Sequence, residues 1–264
     1  MRGRAIRLSL PQRTVLDLLH FASAVPTVPV QRRMSLGPII AARAACRDRP
    51  RWTAIFAKGY ALTAREFPDL RRAYLKFPWP ILYEYPASTA NIVIERDYEG
   101  EPSLFSIVIK DPAKQSLRDL GRTLQHASTA PINEIKDFRR SLRIARLPRP
   151  LRRLVWSIGL NFGRQRANYF GTFALSVYSA LNAESLHPLT PLTTLLNYGV
   201  IGSDGSVNVR IIYDHRTLNG ATVARALARL EDILNSVVAD ELRSMEQNAP
   251  QADVGACLEK TRSF

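Results

Sequence analysis

Two hydrophobic periods meet near the end of the chain, and their junction limits the folds open to it. Val207 to Tyr213 reads as a strand. Beyond it Val223, Leu227, Leu230, Leu234 and Val237 recur at four and three residues, the period of a helix with one apolar face. The link between them is Tyr213-Asp214-His215-Arg216-Thr217-Leu218-Asn219-Gly220, a tight turn with a histidine at the strand end. The other histidines, His20, His126 and His187, stand in far less structured surroundings. Imidazole titrates near neutral pH and is the usual general base under physiological conditions. A strand end holds such a group rigidly.

Upstream, Ser9-Leu10-Pro11 can cap a first helix, and Val25 to Arg33 reads as an extended strand. A second helix opens at Gly37-Pro38. A third, Thr53 to Glu66, is apolar nearly all round and should be central and buried. Strands are expected at 81–85, 91–96 and 104–109, the last two joined as a hairpin. Ser116 can cap a further helix. Strands return at 172–178 and 195–201, and Ser203-Asp204-Gly205-Ser206 makes a hairpin turn into the strand that ends at Tyr213. This order predicts one α+β domain over 1–240, a mixed sheet with helices packed on one face. Residues 241–264 read as a loose polar tail.

Residues 131–166 form a basic helical insertion, with arginines at 139, 140, 143, 146, 149, 152 and 153. Two readings stand: surface helices with a half-buried face, or an amphipathic element that touches an anionic membrane surface through 139–166. The whole chain carries a net charge of +14, which favours phosphate-bearing or otherwise acidic partners. No aromatic and basic motif of the RNA-binding kind accompanies it, so nucleic acid is not expected. Cys46 and Cys257 stand far apart with no CxxC spacing, which supports neither zinc nor a redox dithiol. No metal is expected. The start, Met1 to Arg13, lacks the long apolar stretch of a signal peptide, and no run approaches the ~20 apolar residues of a spanning helix. The expectation is a cytoplasmic chain, peripheral to a membrane at most.

Asp214 to Gly220 resembles the D-H-R-x-x-D-G motif of 2-oxoacid dehydrogenase acyltransferases and the H-x-x-x-D-G of chloramphenicol acetyltransferase. Gly171-Thr172-Phe173-Ala174-Leu175-Ser176 resembles the same family's G-T-F-T-I-S segment. Phe56 to Leu62 and Glu66 to Leu70 are similar to its K-A-x-A-L-A-L helix and the x-x-P-x-L-N that follows. Three features depart from the family: Asn219 replaces the usual aspartate, Val177 replaces the asparagine after the serine, and no lipoyl attachment site is read. The resemblance implies a stand-alone member with a chloramphenicol acetyltransferase-like fold. It would move an acyl group between coenzyme A and a thiol, hydroxyl or amine.

In that family the resemblance makes His215 the general base and Ser176 the oxyanion donor. Asn219 shapes the turn, and Asp214 and Arg216 support it by ion pairing. Thr172 is a weaker candidate to assist Ser176, and Gly220 is expected to supply backbone freedom. The family assembles as a homotrimer, with its histidine and serine donated by different subunits. Coenzyme A enters as a substrate, and its contacts cannot be picked from the sequence. The competing reading is a catalytically weak or inactive trimeric scaffold of the same fold. The structural alternatives are a histidine that only finishes a strand and a serine that only faces a neighbour.

Overall fold

The computed structural model describes residues 1, 3–178 and 181–247. Helix α1 (Leu10–Ala22) begins with a capping box: the Ser9 hydroxyl accepts the Gln12 N–H, and the Gln12 side chain accepts the Ser9 N–H at 3.0 Å. Strand β1 (Thr27–Ser35) leads into α2 (Gly37–Ala45) and α3 (Trp52–Glu66). Strands β2 (Arg72–Leu75) and β3 (Ile81–Glu84) pair with each other as a separate small sheet. The hairpin β4 (Thr89–Tyr98) and β5 (Glu101–Lys110) precedes α4 (Leu117–Thr129).

The basic insertion folds into α5 (Lys136–Ala145), α6 (Arg149–Asn161) and α7 (Gly163–Tyr169). Then come β6 (Phe173–Leu175), β7 (Thr194–Tyr198), β8 (Ser206–Asp214) and α8 (Gly220–Ile233). The six-stranded main sheet runs β1-β8-β7-β6-β4-β5, and only β6 is parallel to its neighbours. The fold is therefore the expected α+β arrangement.

Strand alternation sends Val207, Val209, Ile211 and Tyr213 to one face, where they join a continuous core with Phe56 and Tyr60 of α3 and Leu227 and Leu230 of α8. Gly59 lets α3 approach α8 closely: a Cβ there would stand 2.7 Å from Leu234. The opposite face buries Ala174, Leu195 and Ile212 in a smaller cluster with Phe170.

Two elements depart from the sequence reading. Strand β2 was not anticipated; it is only four residues long. The tail expected from 241 is helical through Gln247. A π turn at Leu234–Val238 carries α8 into α9 (Ala239–Gln247), and Leu242 there is fully buried. Glu241 holds α9 in place by pairing with Lys58 and accepting the Leu117 N–H at 2.8 Å. The rest of the expected tail lies outside the described residues. No helix among the described residues is long and apolar enough to cross a membrane.

Three of the nine arginines in the basic insertion turn inward. Arg152 is 7% exposed, and its Nε meets the fully buried Asp17 at 2.5 Å. Arg153 Nε reaches the same carboxylate at 3.0 Å. Arg166 is also buried and donates to the Leu160 and Pro191 carbonyls. Removing one partner of a buried ion pair strands the other, at a cost of roughly 3–5 kcal/mol. Asp17→Asn should lower the stability of the protein by about 3 kcal/mol in urea unfolding. A change under 1 kcal/mol would show that the α1–α6 contact does not depend on this charge.

Candidate active site

The turn after β8 is pinned at each backbone N–H from His215 to Leu218. The Asp214 carboxylate, 1% exposed, accepts the Arg216 N–H at 3.0 Å and the Arg216 guanidinium at 2.9 and 2.7 Å. Its carbonyl accepts the N–H of Thr217 and Leu218 and the Thr217 hydroxyl. The His215 N–H donates to the Pro26 carbonyl at 3.0 Å, which ties the turn to the strand edge beside it. Asn219 is the N-cap of α8, its side-chain oxygen accepting the Thr222 N–H at 2.9 Å. The His215 side chain is exposed, lies 5.6 Å from the Tyr213 ring between centroids, and forms no hydrogen bond among the described residues. An unengaged imidazole on an immobile turn is free to accept a proton from a molecule that approaches it.

The turn leans on β2, a contact that the sequence did not announce. The Arg216 guanidinium lies over the Tyr74 ring of β2 at 4.4 Å, and Thr193 donates to the Arg72 carbonyl at 2.6 Å. The small β2–β3 sheet is thereby fastened beside His215. Burial pulls the Arg166 guanidinium below its ordinary value, against the opposing influence of Tyr85 and Asp214. Burial also pushes the Tyr85 phenol up to about 12, so it stays protonated.

Ser176 follows β6 by one residue and is nearly buried. Its N–H donates to the Leu196 carbonyl at 3.3 Å, and its carbonyl accepts from Asn197 Nδ2 at 2.7 Å. Asn197 in turn accepts from Arg210, whose guanidinium pairs with Glu184 at 2.6 Å. A chain of side-chain contacts thus replaces the ladder where β6 stops short of the expected 172–178. An arginine at an inward position of an apolar strand, with its partner 26 residues away, gives no signal in sequence.

Strand direction keeps His215 and Ser176 apart within one chain. Ser176 sits level with Asn197, whose partner on β8 is Arg210. His215 is five residues further along β8, about 17 Å at 3.4 Å per residue. Ser176 lies level with the middle of β8, and His215 lies beyond its C-terminal end.

Two other expectations change. Thr172 is engaged elsewhere: its hydroxyl accepts the Thr89 N–H at 2.9 Å and donates to the Thr89 carbonyl at 3.3 Å. Gly220 has no left-handed backbone; it is the first residue of α8, and a Cβ there would stand 3.4 Å from the Tyr213 hydroxyl. The glycine that needs its freedom is Gly171, with φ +86° and a Cβ position 2.8 Å from the Thr89 carbonyl. A cleft of about 660 Å³ lies elsewhere, between β5, α4 and α5, lined by Lys110, His126, Lys136 and Arg140 among others. It includes neither His215 nor Ser176.

No family model matches the sequence, and no curated protein matches it. Solved structures do. A probable dihydrolipoamide acetyltransferase from Listeria monocytogenes superposes with a TM-score of 0.64 at 14% identity, over 93% of this chain and 97% of that one. The Azotobacter vinelandii dihydrolipoamide acetyltransferase gives 0.63 at 18% identity, over 90% and 94%. In that enzyme a serine, a histidine and an asparagine were investigated for roles in the catalytic mechanism, the last two four residues apart. A chloramphenicol acetyltransferase gives 0.50 at 14% identity, over 86% and 96%. The chain therefore has the fold shared by dihydrolipoamide acetyltransferase cores and chloramphenicol acetyltransferase.

Proposed function

We propose that this protein is a coenzyme A-dependent acyltransferase of the 2-oxoacid dehydrogenase acyltransferase kind. It would act on a thiol, hydroxyl or amine acceptor and assemble as a homotrimer. The observation that carries this reading is the exposed His215 imidazole on a fully braced turn, in a fold shared with acyltransferases. His215 accepts the proton of the acceptor. The acceptor's electron pair then bonds to the thioester carbonyl carbon while the carbonyl electrons move onto oxygen. Ser176 donates its hydroxyl proton in a hydrogen bond to that oxyanion. Collapse breaks the carbon–sulfur bond, and His215 returns the proton to the departing thiolate. The net charge of +14 suits a substrate that carries several phosphates.

The separation of His215 from Ser176 supports the trimer. A head-to-tail contact would set His215 of one copy against Ser176 of the next, and such contacts generate a ring where the rotation closes. Asn219 fits the reading through its cap. The Azotobacter enzyme carries asparagine at the same spacing from its histidine, and here the side chain holds α8 and the turn in register.

Three tests follow from these roles. His215→Ala should lower thiol release from acetyl-CoA by about 10²–10⁴, and Ser176→Ala should lower kcat by about 10²–10³, with melting unchanged. Equal rates for wild type and His215→Ala would remove His215 as the base and leave the scaffold reading. Trimers reassembled from equal amounts of the two variants should recover about a quarter of the wild-type sites, because each site needs one intact residue from each neighbour; no recovery would place both residues in one subunit. Asn219→Ala should lower stability by about 1 kcal/mol in urea unfolding, whereas Asn219→Asp should stay within a few tenths, because aspartate caps as well.

A further inference from the structure

Helix α6 is apolar on both faces: Trp156, Gly159 and Leu160 are buried beside Arg152, yet a second apolar stripe faces outward. A surface helix normally turns its apolar stripe to the core and its charges to water. Here Arg152 and Arg153 point inward to Asp17, while Leu151, Leu154, Val155, Ile158 and Phe162 stand outward, each 39–55% exposed. Their spacing of three, one, three and four residues forms one continuous stripe. Among the described residues of α6, no charged side chain is exposed beyond Arg149.

The helix cannot turn about its axis to hide this stripe. The Asp17 pairs fix it on one side. Trp156 fixes it again, stacking on Phe21 at 5.9 Å and lying 4.8 Å from the Phe170 ring. The apolar face is held outward by buried bonds.

The surroundings of the stripe indicate what covers it. Arg146 and Arg149 are exposed at one end and Arg164 at the other. The Tyr83 ring packs on Gly163, so close that a Cβ there would come within 2.8 Å. That contact brings the β2–β3 hairpin beside the end of α6, and the hairpin exposes Phe77 and Trp79 by two thirds. An apolar helix face bordered by arginines, with an exposed tryptophan beside it, matches the chemistry of the lipid headgroup boundary. Five half-exposed side chains fall well short of the ~800 Å² per partner that a stable protein interface buries. A lipid surface has no such minimum, because attraction of arginine to anionic headgroups adds to apolar insertion.

We propose that α6 docks the protein on an anionic membrane surface, with the Leu151–Phe162 stripe seated among the lipid chains and its terminal arginines among the headgroups. This surface is independent of acyl transfer, and its test reads binding alone. The full chain should float with vesicles of phosphatidylcholine and phosphatidylglycerol but hardly with phosphatidylcholine alone. High salt should weaken the binding. Leu154→Glu with Ile158→Glu should reduce it at least roughly tenfold without lowering the melting temperature, since both side chains are exposed. Arg149→Glu with Arg164→Glu should reduce it at low salt only. Binding unchanged by the apolar variant, or no preference for the anionic vesicles, would overturn the proposal. So would a change of oligomeric state in the apolar variant, which would make the stripe an interface between copies of this chain.

Discussion

A carboxylate sealed from water must find donors, and Asp214 finds them within two residues of itself. That single requirement shapes the end of β8. It bends the chain out of the sheet, sets Arg216 over Tyr74, and delivers Asn219 to the position from which it starts α8. The histidine between these residues has nothing left to do for the fold. Its backbone is used and its ring is not, which separates a group available for chemistry from one consumed by structure.

Charge is the second theme. The chain is strongly basic, yet several of its arginines are interior. Arg152, Arg166 and Arg210 are each less than a tenth exposed. Each is satisfied by a different device: a buried aspartate, two backbone carbonyls, and a glutamate on a covering loop. Guanidinium suits such positions because its planar fork reaches several acceptors at once. The interior arginines act as struts between separate segments: α1 with α6, α7 with the loop before β7, and the 184–185 loop with the sheet.

Much of the architecture was legible in the amino-acid order. The strand, turn and helix around His215 follow from hydrophobic period and capping chemistry, and α3 was recognisable from its near-continuous apolar surface. What stayed hidden depends on partners far along the chain. Nothing near Arg210 announces Glu184, and nothing near Arg152 announces Asp17, so the basic insertion reads as a solvated face when three of its arginines are anchored inward. The polar composition beyond Asp240 suggests a loose tail, because the burial of Leu242 and the Glu241–Lys58 pair carry no periodic signal. The candidate residues were legible by residue type and order. That Ser176 lies level with the middle of β8, and His215 beyond its end, became visible only once the directions of β6, β7 and β8 were known.

Strand β6 is three residues long, and it knits Ala90 to Phe173 and Phe173 to Thr194. The β4–β5 and β7–β8 hairpins close over short loops, whereas β6 meets β4 across more than eighty residues of chain and β1 meets β8 across more than 170. Loop-closure entropy must be met before so few hydrogen bonds return anything. The two hairpins therefore gain their local order first, and the rate at which the whole domain is completed is set by how soon the long-range pairings of β6 and β1 join them.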